Sequence, residues 1–196
     1  MPQPQQDENE YIQGFLAWQK SEEVLRKGYR ALDGGAKAFY VPFRSLETYL
    51  GDRQRLKHIL KAIFPEGHSL NGEYIREHYL RILAILISIG QGRMILQFMK
   101  TQKMQDTYLP FNSQDSGFPQ SSGYDLPTRF CEHQWRFCPP KMVRHMEYSY
   151  EENAILPFRV EDFIEKGGSA HIFRICVDED YNQLYQSHNE VRRPAI

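Results

Sequence analysis

The chain has 196 residues, of which 41% are hydrophobic and 25% charged, and its formal net charge is −1. That is ordinary globular usage, over a length that suits one well-buried domain with a smaller appendage. It excludes a polycation: with no excess of Lys and Arg to displace counterions, neither nucleic acid nor an anionic membrane is expected as a partner.

Residues 1–9 are acidic and poor in apolar side chains, so they are expected to form a disordered tail without the apolar stretch of a signal peptide. From Tyr11 an apolar stripe begins: Tyr11, Phe15, Trp18, Leu25, Tyr29 and Leu32 share one helical face, and Asp33-Gly34-Gly35 ends it. A short extended piece, Phe39 to Phe43, leads into a second helix with Ser45 as its N-cap. Its inner face is Leu46, Tyr49, Leu50, Leu56, Leu60 and Ile63, and Pro65 and Gly67 close it.

The third helix, from about Glu73 to Ile89, is the expected centre of the domain. Ile75, Tyr79, Ile82, Leu83, Leu86 and Ile89 mark one face, with Ile85 and Ile87 adding apolar cover elsewhere. Its apolar run, Ile82–Ile89, is eight residues with Ser88 inside it, against roughly 20 for a bilayer crossing, so a buried core helix is expected. Gly90-Gln91-Gly92 breaks it, and a helical segment resumes over Arg93–Lys100. Residues 101–127 lose all period and are rich in turn formers, which predicts a long flexible surface loop. A short helix follows over Pro127–Cys138, stopped by Pro139-Pro140, and Lys141–Tyr150 alternates weakly as a strand.

The expected fold class is therefore α+β, mainly α: a helical domain over 10–150 and a hairpin unit over 151–196. Cys131, Cys138 and Cys176 form a sparse, odd set that suits reduced thiols in an intracellular protein, cytoplasmic or nuclear. Cys131, His133, Cys138 and His145 match no closed zinc spacing, and buried thiols with surface imidazoles are the favoured reading. No G-x-S-x-G nucleophile elbow occurs, which removes the commonest serine-hydrolase signature.

The most informative stretch is 154–185, AILPFRVEDFIEKGGSAHIFRICVDEDYNQLY. Val160 and Ile164 alternate before the glycines, and Phe173, Ile175 and Val177 alternate after them, which predicts two strands and a turn. Asn153-Ala-Ile-Leu-Pro-Phe158, Gly167-Gly168 and Tyr181-Asn-Gln-Leu184 together resemble a group of fungal protein kinases in which a helical region precedes the kinase domain. Tyr74–Leu86, Ile89-Gly90 and Phe130–Cys138 resemble the helical region of the same group. The resemblance implies a truncated kinase N-lobe opening, whose glycine-rich loop has the spacing G-x-G-x-x-G-x-V. In that register Glu165 stands at the first glycine, Gly167 at the second, Ala170 at the third and Ile172 at the valine, with Gly168 and Ser169 at the tip.

Ile164, Gly167, Gly168, Ser169, Ala170 and Ile172 are therefore the candidate nucleotide-binding residues, and a plain hairpin turn is the competing reading. Glu165 would set a carboxylate beside a polyphosphate, which costs up to about 4 kcal/mol at a few ångströms in a dielectric near 20. No catalytic residue is assigned: the 196 residues contain no His-Arg-Asp and no Asp-Phe-Gly, and no nucleotide-pairing lysine on a third strand is identified. ATP and magnesium are implied only where the lobe is complete. The expectation is a non-catalytic regulatory or interaction region that binds a protein partner; the alternative is a fragment of an ATP-binding serine/threonine kinase.

Overall fold

The structure, a computed structural model, describes residues 4–30, 37–67, 70–115, 117–119, 125–144, 153–166 and 171–184. In chain order these form α1 (Pro4–Trp18), β1 (Arg26–Tyr29), β2 (Lys37–Tyr40), α2 (Phe43–Leu50), α3 (Arg53–Ile63), α4 (Gly72–His78), α5 (Leu80–Ser88), α6 (Ile95–Lys100) and α7 (Leu126–Gln134). The strands β3 (Met142–Val143), β4 (Phe158–Lys166), β5 (His171–Val177) and β6 (Asn182–Gln183) follow. The fold is α+β and mainly α. Strands pair two by two, as β1–β2, β3–β6 and β4–β5.

The chain divides into two compact units, residues 1–26 with 39–138, and residues 27–38 with 139–196. This differs from the division at 150 expected from sequence. The segment after α1 belongs with the strands because Tyr29 and Leu156 exchange two backbone hydrogen bonds, of 2.9 and 2.8 Å. Residues 142–143 also belong there, since Met142 and Val143 pair in parallel with Asn182 and Gln183.

The first unit is built around α5. Leu80 and every residue from Ile82 to Ile87 are buried, in a single cluster with Phe15, Leu46, Leu50, Ile59, Ile75, Phe98 and Phe130. Each large aliphatic there contributes roughly 1.5–3 kcal/mol relative to exposure. Gly90 ends the run with a φ of +73°, a conformation that glycine adopts without strain.

Three helices end sooner than their apolar patterns suggest, each because a polar group captures the backbone. α1 stops at Trp18 although the stripe runs on to Leu25 and Tyr29. The Ser21 hydroxyl donates to the Trp18 carbonyl at 2.9 Å, and the Gln19 carbonyl accepts from Arg136 Nη2 at 2.6 Å. The chain then turns out as β1; Leu32 and the cap Asp33-Gly34-Gly35 lie outside the described residues. α1 also begins at Pro4, inside the segment expected to be a tail. The second predicted helix is two, α2 and α3, because the Asp52 carboxylate accepts from the Arg55 amide at 2.8 Å and caps a fresh start; α2 itself begins at Phe43, before Ser45.

The third predicted helix is likewise α4 and α5, parted at Tyr79, whose φ of −138° is not helical. Asp106 caps the new start, its Oδ2 accepting from the Arg81 amide at 2.8 Å and its Oδ1 from the Ile82 amide at 3.0 Å. The segment expected as a surface loop, 101–127, is thereby tied to the core. Met104 and Phe111 are buried, and Phe118 packs against Phe98, Phe111 and Phe130 with ring centroids 5.7–6.1 Å apart. Gln134, fully buried, holds Phe111 at both backbone groups: Oε1 accepts from the amide at 2.7 Å and Nε2 donates to the carbonyl at 2.8 Å.

Candidate functional site

The second unit positions the candidate site. Its base is the Asn153–Phe158 stretch. Besides the Tyr29–Leu156 bridge, the Tyr29 ring stacks on Phe158 at 5.2 Å, and the Asp178 amide donates to the Pro157 carbonyl at 2.9 Å. Asp178 in turn accepts from the Asp180 amide at 3.0 Å and starts the short turn that carries the buried Tyr181. The stretches 153–158 and 181–184, singled out by resemblance, are thus both parts of this unit.

From that base β4 and β5 run out as an antiparallel pair. Phe158 opposes Val177, Arg159 opposes Cys176, and Val160 opposes Ile175. After a register shift Asp162 opposes Arg174 and Phe163 opposes Phe173; after a second, Glu165 opposes Ile172 and Lys166 opposes His171. Two bulges therefore leave Glu161 and Ile164 without a cross-strand partner of their own.

Residues opposite one another share a face, and successive residues alternate. The register thus gathers Phe158, Val160, Phe163, Phe173, Ile175 and Val177 on one face. Arg159, Asp162, Ile172, Arg174 and Cys176 lie on the other, where Asp162 and Arg174 form an exposed ion pair at 3.2 Å. A bulge-free β4 would carry Val160 and Phe163 on opposite faces. The apolar face is open: Val160 is 43% exposed, Phe163 55% and Ile175 42%. Of the nine large hydrophobic residues that are exposed among those described, five lie on this hairpin, which makes it the main apolar surface.

The candidate nucleotide loop is placed in part. Glu165 opposes Ile172 after the second bulge, where Ile164 is the residue without a cross-strand partner, and both isoleucines are exposed, at 55% and 49%. Gly167, Gly168, Ser169 and Ala170 lie outside the described residues. Alternation in the sequence makes Val160 and Ile164 the apolar pair of the first strand. The structure instead sets Phe163 opposite Phe173, with Ile164 in the bulge. The signal for this was the strict alternation of Phe173, Ile175 and Val177 against a three-residue step between Val160 and Phe163.

Elsewhere the polar chemistry is structural. Burial pushes the Cys138 thiol up to about 12, so it stays protonated at neutral pH, and Cys131 donates its S–H to the Phe111 carbonyl at 3.3 Å. Among the described residues no three His, Cys, Asp or Glu side chains come together to hold a metal, and His145 lies outside them. Among the same residues no helix is long and apolar enough to cross a membrane. No family profile, curated protein or solved structure matches the chain.

Proposed function

We propose that this chain is a non-catalytic, protein-binding region of a kinase-like polypeptide, acting inside the cell, and that the open face of the β4–β5 hairpin is the surface its partner covers. The observation that carries this is the exposed cluster of Val160, Phe163 and Ile175, held on one face by the bulge between Val160 and Asp162. Apolar area of this kind on a two-stranded sheet is covered by another protein element, because two strands alone bury too little to be stable. The partner's matching surface is apolar at its centre, with polar groups at the rim for Asp162 and Arg174. Nucleic acid is not part of the proposal, since the net charge is −1.

The test is the double variant Phe163→Lys, Ile175→Lys. Both side chains are exposed, so each change should move unfolding free energy by no more than about 0.5 kcal/mol. Binding of an apolar dye such as anilinonaphthalene sulfonate should fall sharply. Undiminished dye binding with unchanged stability would remove the hairpin as the contact surface.

A second reading, a fragment of an ATP-binding kinase, is supported by the exposure of Ile164 and Ile172, which flank the glycine turn on β4 and β5. Titration with ATP and magnesium, followed by melting temperature, separates the two. Binding tighter than about 1 mM raises stability when the ligand binds only folded protein. If Gly167→Asp abolished such binding, the second reading would stand and the first would fall.

A further inference from the structure

The β4–β5 hairpin has edges as well as a face. Among the described residues it is a two-stranded sheet, so β4 and β5 each have an outer side with no neighbouring strand. The two edges differ. β4, FRVEDFIEK, carries five charged residues in nine, and its register shifts twice. Charges and bulges are the common devices that stop an edge from taking a further strand, because they disturb the row of outward amides and carbonyls. β5, HIFRICV, has no carboxylate, no proline, no glycine and no bulge, and Arg174 stands alone among Ile172, Phe173, Ile175, Cys176 and Val177. Most of these are strong strand formers. A lone pair of strands is marginal in water, so a further strand on the β5 edge would stabilise it.

We infer that the occupant of this edge is a second copy of the chain, whose β5 pairs antiparallel with the first to give a four-stranded sheet in the order β4–β5–β5–β4. A strand paired with itself in this way is related by a two-fold axis, so association closes at a dimer and does not propagate.

Charge and overlap choose the register. Centring the pair on Arg174 gives the longest overlap but sets Arg174 against itself, which is destabilising. Moving the centre to Phe173 sets His171 against Ile175 and leaves Val177 unpaired. Moving it to Ile175 avoids both faults. Ile175 then opposes Ile175 of the second copy, Phe173 opposes Val177 and Arg174 opposes Cys176. Directly opposite residues share a face, so the two apolar faces lie on the same side and form one wider surface. The dimer therefore extends the open face proposed above and leaves it available to another partner.

The test is sedimentation equilibrium of the whole chain between about 1 and about 200 µM, because a dimer is populated by mass action. Wild type should be dimeric at the upper end. Ile175→Lys and Ile175→Glu each set like charges against one another at the centre of the pair, and each should weaken self-association at least about tenfold. Ile175 is exposed, so neither change should unfold the chain, which circular dichroism checks. An equimolar mixture of the two variants sets Lys against Glu and should associate at least about tenfold more tightly than either alone. Phe163→Lys alters the face without touching the edge and should leave the dimer intact. A wild type that is monomeric at every concentration would overturn the inference. So would Ile175→Lys and Ile175→Glu variants that dimerise as well as wild type, or a mixture that associates no better than its parts. The face and the edge are tested apart: a monomeric wild type whose dye binding still falls in the Phe163→Lys, Ile175→Lys variant ends the edge pairing and leaves the face as the contact surface.

Discussion

Asp106 gives the sharpest test of how the helical unit is assembled. Its carboxyl caps α5 through the Arg81 and Ile82 amides, and two opposing effects act on its proton. Desolvation is the larger and raises its value from the ordinary 3.8 to about 6; the backbone hydrogen bonds and the Arg81 charge oppose this without overcoming it. The folded protein therefore holds the proton more tightly than the unfolded chain. The stability this confers is complete below pH 3.8 and is lost as pH rises through 6. A gap of about two pH units corresponds to about 3 kcal/mol.

Asp106→Asn carries no charge at any pH, but its Nδ2 only donates, so one of the two capping amides loses its acceptor at every pH and the change with pH isolates the carboxyl. The stability of the variant relative to wild type should therefore rise by about 2–3 kcal/mol between pH 4 and pH 7. The measurement is urea unfolding followed by circular dichroism at intervals between the two. Taking the difference between variant and wild type cancels the other carboxylates, which titrate alike in both. A variant that is less stable than wild type at pH 7, with the gap closing on acidification, would refute the reasoning. It would mean that the helix amides and Arg81 outweigh burial.

Two further substitutions probe the same unit. Gln134→Leu should cost about 2–5 kcal/mol, because it strands the buried amide and carbonyl of Phe111; a shifted urea midpoint with an unchanged slope checks it. Leu86→Ala, at the fully buried centre of α5, should cost about 2–5 kcal/mol through lost contacts and a cavity. A melting curve identical to wild type would remove α5 from the centre of the core.

What was legible in the sequence follows the range of the forces involved. The buried faces of α3, α5 and α7 could be read because apolar side chains repeating at helical spacing have one way to be buried together. Gly90 could be read as a stop for a local reason, its φ. Three features depend on groups far apart in the chain: Arg136 takes the carbonyl that would extend α1, Asp106 starts α5, and Gln134 fastens Phe111. Periodicity carries no record of a partner dozens of residues away, so the stripe from Tyr11 ran on past Trp18 and the 101–127 segment passed for a free loop.

The hairpin failed in a different way. Counting by twos from Val160 reaches Ile164, whereas the fold counts through one bulge and reaches Phe163. The correct count was available only by requiring both strands to present their apolar residues to the same side. β5 is strictly alternating over Phe173, Ile175 and Val177, and it can oppose Val160 and Phe163 together only if β4 carries an extra residue between them. A three-residue apolar step beside a regular partner strand is therefore evidence for a bulge. Here that bulge decides whether Val160 and Phe163 form one surface or are divided between two.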